Sequence, residues 1–201
     1  MLIALRLLLA FFGRFSWHKG SVRSVLVVRG LGIVFKFPRI FLKAFIVNTR
    51  HYAEYGIFWK YWREWTVDMQ LTPKHALFKG IADNWREYRY CRRKSSELSI
   101  LLPTYCSLFG LINIQKVARN SCAAFDRHDS GWWHQMYEIT DGYAHKDGHH
   151  FANPNNFCIE DGKIRILDYG SPKTRKVLNR CGRDIYEKFD VNYVFPGRDK
   201  V

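Results

Sequence analysis

Acidic side chains are scarce in this 201-residue chain: 18 Asp and Glu stand against 32 Lys and Arg, a formal charge of +14. A positive field of that size draws polyanions, so the partner classes it points to are nucleic acid, anionic lipid headgroups, phosphorylated glycans and nucleotides. Long apolar runs are lacking as well. Met1 to Phe12 is apolar apart from Arg6, too short for a spanning helix of about 20 residues, and without the basic leader and small-residue cleavage site of a secretory signal. It is expected to be a helix packed on the N-terminal half. With Arg14, Lys19 and Arg23 behind it, the alternative is an anionic membrane surface.

Cysteine pairs are missing. Cys91, Cys106, Cys122, Cys158 and Cys181 are odd in number and show no Cys-x-x-Cys spacing, which argues against a disulfide scaffold and for a reducing, cytoplasmic location, with the inner face of a membrane as its variant. Cys106 and Cys158 stand in apolar runs and are expected to be buried. No Gly-x-x-x-x-Gly-Lys-Ser/Thr loop, no Gly-x-Gly-x-x-Gly loop and no Gly-x-Ser-x-Gly elbow occurs, which removes the P-loop and the common serine hydrolases.

What is present is a globular composition, 47% hydrophobic and 16% aromatic, long enough for one domain or two small lobes. Ser21–Val28 and Ile33–Pro38 are rich in β-branched and aromatic residues around Arg29-Gly30-Leu31-Gly32, a hairpin signal. Lys36 falls opposite in facing to Phe35 and Phe37, so those two are expected on the core and Lys36 in a cleft; an edge-strand lysine is the bland alternative. Residues 40–80 are aromatic-heavy and helical in spacing until Thr72-Pro73. A helix is expected from about Asp83 to Ser95, with Asn84 and Glu87 as its capping box. Leu101 to Val117 reads as two strands turning near Gly110. A polar stretch from Ala118 to Ser130 precedes a short helix over Trp132–Thr140. The basic clusters Arg86, Arg89, Arg92, Arg93, Lys94 and Lys173, Arg175, Lys176, Arg180, Arg183 read first as solvated helix faces.

The densest chemistry lies in Asn153-Pro154-Asn155-Asn156-Phe157-Cys158-Ile159 and the following Gly162-Lys163-Ile164-Arg165-Ile166-Leu167-Asp168-Tyr169-Gly170. This reads as a polar loop, a strand, a Glu160-Asp161-Gly162 turn, and a second strand ending at Asp168. Such a hairpin brings Asn156 and Asp168 together, and an amide oxygen with a carboxylate is a hard-oxygen pair of the kind Mg2+ accepts beside nucleotide phosphates.

The pattern resembles the catalytic loop and Asp-Phe-Gly segment of the protein-kinase-like superfamily, here Asp168-Tyr169-Gly170, over roughly residues 20–170. The order Lys36, Glu87, Asn156, Asp168 is the order that family uses. The resemblance implies an α+β, two-lobed fold, with a β-rich N-lobe over 1–117, an aromatic helical insertion at about 40–80, and a reduced C-lobe over 118–201. It implies ATP and Mg2+, with Lys36 on the phosphates and Glu87 orienting Lys36. Gly20-Ser21 would be a remnant of the glycine-rich loop, Gln115 would stand in the hinge region, and Asn156 and Asp168 would hold the metal. Glu54 and Glu64 are rival partners for Lys36. The compactness is similar to that of lipopolysaccharide-core sugar kinases, where a phosphorylated glycan would suit the basic surface. A protein substrate is the other acceptor class, although nothing after Gly170 resembles Ala-Pro-Glu.

One part departs from the family. Its catalytic aspartate falls on Phe151, which accepts no proton; His149, His150 and Asp147 are the candidate replacements. The result is either a phosphotransferase working from a histidine or a pseudokinase-like interaction scaffold that binds nucleotide without turnover. A third class is a nucleic-acid-binding protein, whose affinity would fall steeply with salt. His145, His149, His150 and Asp147 also admit a transition-metal reading, without the usual ligand spacing.

Overall fold

The computed structural model describes residues 15–64, 66–67, 70–118, 120–122 and 130–194. The expected N-terminal helix over Met1–Phe12, and most of the polar stretch before Ser130, lie outside the described residues. In chain order the elements are β1 (Phe15–Lys19), β2 (Arg23–Val28), β3 (Ile33–Pro38), α1 (Leu42–Glu54), α2 (Phe58–Arg63), the two-residue strands β4 (Thr66–Val67) and β5 (Gln70–Leu71), and α3 (Pro73–Lys94). There follow β6 (Thr104–Leu108), β7 (Ile112–Lys116), β8 (Asn120–Ser121), α4 (Ser130–Ile139), α5 (Gly148–Phe151), β9 (Phe157–Glu160), β10 (Lys163–Ile166), α6 (Pro172–Lys188) and α7 (Val191–Val194). The fold is α+β, in two compact units: Met1–Arg86 with Tyr105–Gln115, and Glu87–Thr104 with Lys116–Val201.

The first unit is built on an antiparallel sheet in the order β1-β2-β3-β7-β6. The β2–β3 hairpin forms where its β-branched residues predict it, closed by a 3-10 turn over Arg29–Leu31 and by Gly32 at φ 66°. β3 is the central strand, so Lys36 is not an edge lysine. The facing rule holds: Lys36 lies on the face opposite to Phe35 and Phe37. Val34 and Lys36 are buried, whereas Phe35 and Phe37 are half-buried on the opposite side, with Trp17 stacked on Phe37 at 5.7 Å. Cys106 is exposed on β6, against expectation, while Cys158 is buried and none of the five cysteines forms a disulfide.

α3 begins ten residues before the position expected. Pro73 occupies its first turn and the Thr72 hydroxyl accepts from the His75 amide at 3.2 Å, so Thr72-Pro73 ends one segment by starting another helix. Asn84 is therefore not a cap. It sits in mid-helix, fully buried, with its Nδ2 donating to the Lys36 and Gly110 carbonyls, each at 3.0 Å, and its Oδ1 accepting from Arg23 at 3.3 Å. Asn113 Nδ2 donates to the Asn84 carbonyl at 2.7 Å. This polar knot ties α3 to β3 and to the β6–β7 turn. Close approach is what makes it possible: a Cβ on Gly80 would lie 2.5 Å from the Val22 carbonyl oxygen. On Gly110, at φ 78°, it would lie 2.4 Å from that of Ile81.

The second unit has a three-stranded sheet, β10-β9-β8, and a core of Trp132, Met136, Phe151, Phe157, Ile164, Ile166, Tyr169, Leu178 and Ile185, among others. Residues 100–102 run alongside β10, with Ile166 N donating to the Ile100 carbonyl at 2.8 Å and Leu102 N to that of Ile166 at 3.1 Å. α6 starts at Ser171, whose hydroxyl accepts from Lys173 N, with Pro172 in the first turn. Its buried positions Thr174, Val177, Leu178, Cys181 and Ile185 recur at three-to-four spacing, the period of a helix with one inward face. No helix among the described residues is long and apolar enough to cross a membrane.

Candidate functional site

The β9–β10 hairpin positions the expected metal ligands. Asp161 at φ 53° and Gly162 at φ 69° make the tight turn, and the register pairs Glu160 with Lys163 and Phe157 with Ile166. At the open end, Leu167 N donates to the Asn156 carbonyl at 2.7 Å. This bond holds Asn156 beside the residue that precedes Asp168, so the two side chains issue from neighbouring backbone positions. Pro154–Asn156 forms a 3-10 turn whose start is capped by Asn153, the Oδ1 accepting from Asn155 N at 3.2 Å.

The amide of Asn156 is oriented. Its Nδ2 donates to the His150 carbonyl at 3.1 Å, which leaves Oδ1 as the atom suited to a cation. Asp168 and Asn156 are both half-buried, whereas Tyr169 next to them is wholly buried. The Tyr169 hydroxyl donates to the Leu102 carbonyl at 2.7 Å and lies 2.8 Å from Thr104 Oγ1. Burial pushes its phenol well above the ordinary value, and the negative charge of Glu87 acts in the same sense. Glu87 is thus a buried neighbour of Tyr169 in the second unit.

The three candidate proton acceptors separate into different roles. Asp147 is buried, and both its oxygens are engaged: Oδ1 lies 3.0 Å from His150 Nδ1, and Oδ2 accepts from the Thr174 hydroxyl at 2.5 Å. It therefore serves as an anchor. His150 is held by that anchor through Nδ1, so Nε2 is the ring nitrogen turned away from Asp147. His149 is exposed, its ring 5.3 Å from that of His150 in an edge contact. Among the described residues no three His, Cys, Asp or Glu side chains converge as a metal site, those of His145, His149, His150 and Asp147 included.

Phe151 is fully buried. Its ring lies 5.9 Å from that of Phe157, and its carbonyl accepts from Trp132 Nε1 at 2.8 Å. Phe151 is thus a core position, held by packing.

In the first unit, Lys36 is 5% exposed in the central strand. Gly20 and Ser21 form the exposed β1–β2 turn, where Gly20 N donates to the Arg23 carbonyl at 2.8 Å. Gln115 is buried on β7, on the same side as Asn113. Glu54 pairs with Arg50 at 2.9 Å on the exposed side of α1, and Glu64 is exposed. Thr174 is the residue the sequence reading missed. Its signal lay in the Ser171-Pro172 helix start, which fixes 174 on the inward stripe with 177, 178 and 181.

Comparison of the chain with protein families, with characterised proteins and with solved structures finds no match.

Proposed function

We propose that this protein is a kinase-like nucleotide-binding protein, in which Asn156 and Asp168 hold Mg2+ on the phosphates of ATP. What supports this reading is the hairpin mouth: the Leu167–Asn156 backbone bond brings the two residues to neighbouring backbone positions, and donation from Nδ2 to the His150 carbonyl leaves Asn156 Oδ1 as the atom suited to a cation. The donor set fits the ion. Mg2+ takes one or two protein oxygens and completes its shell with water and phosphate, and it does not require a closed cage of carboxylates. When bound, the ion would supply charge neutralisation and orientation for the phosphates.

The order of elements supports the same reading. A strand with a buried lysine (Lys36), a helix with a buried glutamate (Glu87), two paired strands, a loop asparagine and a strand-end aspartate follow one another as β3, α3, β6–β7, the Pro154–Asn156 turn and the end of β10.

Proton acceptance from an attacking hydroxyl cannot fall to Phe151. On the enzyme reading it falls to His150, whose Nδ1 is oriented by Asp147. The second reading, a scaffold that binds nucleotide without turnover, is favoured by that same loss of a carboxylate. Parallel measurement of Mg2+-dependent ATP binding and of phosphate transfer or release tests both. Asn156→Leu is expected to weaken Mg2+-dependent binding by at least about tenfold, since even indirect support of a metal site is worth that much. Nucleotide binding unchanged by Asn156→Leu would overturn the site. Intact binding without turnover would establish the scaffold.

A further inference from the structure

A second surface, in the first unit, carries chemistry that nucleotide binding does not use. α1 and α2 pack through Tyr52 and Tyr61, whose rings stack at 4.5 Å, and Phe58 lies 5.5 Å from Trp62. On its other side α1 exposes a cluster of apolar residues, and α2 exposes Trp59 with Lys60 and Arg63. On α1, Leu42 and Ile46 stand one turn apart with Val47 beside them, Ile46 being 63% exposed; near α2 the exposed rings are Tyr55 and Trp59, the latter 74% exposed. Large apolar side chains left in water at this density mark an interaction surface.

The charge between them says which kind. Lys43 and Arg50 stand among the α1 aliphatics, and Lys60 and Arg63 follow Trp59. Arg50 pairs with Glu54 at 2.9 Å, while Lys43, Lys60 and Arg63 have no anionic partner among the described residues. Lysine is depleted at protein–protein interfaces, so Lys43 and Lys60 among protruding aliphatics suit a protein partner poorly. They suit an anionic bilayer, where lysine and arginine meet headgroups, aliphatic side chains enter the acyl boundary, and Trp and Tyr sit at the interface.

We propose that the exposed faces of α1 and α2 dock this protein in the plane of an anionic membrane. The test is co-sedimentation of the full chain with vesicles of phosphatidylcholine alone and of phosphatidylcholine mixed in equal parts with phosphatidylglycerol. Binding to the mixed vesicles is expected, weakening with salt. Ile46→Glu combined with Trp59→Ser should reduce partitioning by about tenfold or more. A second variant, Lys43→Gln with Lys60→Gln, alters only exposed charge and should cost about fivefold per lysine. Circular dichroism and Mg2+-dependent ATP binding should be unchanged in both, which keeps this surface distinct from the nucleotide site. No binding to mixed vesicles overturns the proposal. So does binding that both variants retain, which would assign it to other parts of the chain. A dimer that Ile46→Glu dissolves, without vesicle binding, would assign the face to a second copy.

Discussion

The Thr174 hydroxyl donates to Oδ2 of Asp147 at 2.5 Å, and this one bond fixes the loop before α5 against α6. Through Asp147 it also fixes His150, whose Nδ1 takes the other oxygen at 3.0 Å. The arrangement makes Asp147 a structural anchor whose loss propagates to the imidazole.

Removing the Thr174 hydroxyl should therefore cost more than an exposed hydrogen bond. Thr174→Val leaves a buried carboxylate with one partner fewer, and the expected loss is about 1.5–3 kcal/mol, read from the midpoint of urea unfolding. Thr174→Ser, which keeps the hydroxyl, should lose much less. Equal losses in both would show that packing, not the bond, holds the loop.

Phe151→Asp is expected to unfold the second unit before it creates a base. The side chain is fully buried against Phe157, and placing a carboxylate there combines lost packing with a buried charge, costing about 3 kcal/mol or more. Phe151→Leu should cost about half as much. A stable Phe151→Asp protein would mean that this core yields more readily than its packing implies.

The contrast between these positions explains how much of the fold could be read beforehand. The β9–β10 hairpin was legible because its turn is local: Asp161-Gly162 adopts two left-handed conformations that sequence advertises. The β2–β3 hairpin was legible for the same reason. Asn84 was misread because its partners are the carbonyls of Lys36 and Gly110, far away in sequence, while Glu87 three residues on imitates a cap. Phe151 and Thr174 belong to the same class. Burial of the one and the Asp147 bond of the other exist only once the loop is packed; the Ser171-Pro172 start places Thr174 on the inward stripe, but no local pattern names its partner. The neighbouring backbone positions of Asn156 and Asp168 lie between these cases, being local in the hairpin, with the Asn156 amide bonded to the His150 carbonyl.

Gly110 should tolerate no side chain. Gly110→Ala combines a φ of 78° with a Cβ 2.4 Å from the Ile81 carbonyl oxygen, and backbone must move to relieve it. The expected cost is about 1–3 kcal/mol in thermal or urea unfolding. A neutral substitution would mean that the β6–β7 turn is not pinned to α3.

Alkaline pH should destabilise the second unit. Burial raises the phenols of Tyr90 and Tyr169 and the thiol of Cys158 above their ordinary values. Their folded forms stay protonated while the unfolded chain loses its protons, so the stabilisation is complete below the ordinary values, about 8.5 for thiol and about 10 for phenol, and falls as pH rises beyond them. Urea midpoints should be flat in these groups at neutral pH and decline above about pH 9. Tyrosinate absorbance should show Tyr90 and Tyr169 ionising together with unfolding. Tyr90→Phe should soften the decline.

The proposed function rests on a Mg2+-dependent nucleotide site at the mouth of the β9–β10 hairpin. Calorimetric titration of ATP into the wild-type chain and into Asp168→Asn, each with and without Mg2+, tests it most directly. The expected result is binding that requires Mg2+ in the wild type and is lost in Asp168→Asn, with both proteins unfolding at the same urea concentration. Binding that is indifferent to Mg2+ and to Asp168, or no ATP binding by the folded wild-type chain, would contradict it.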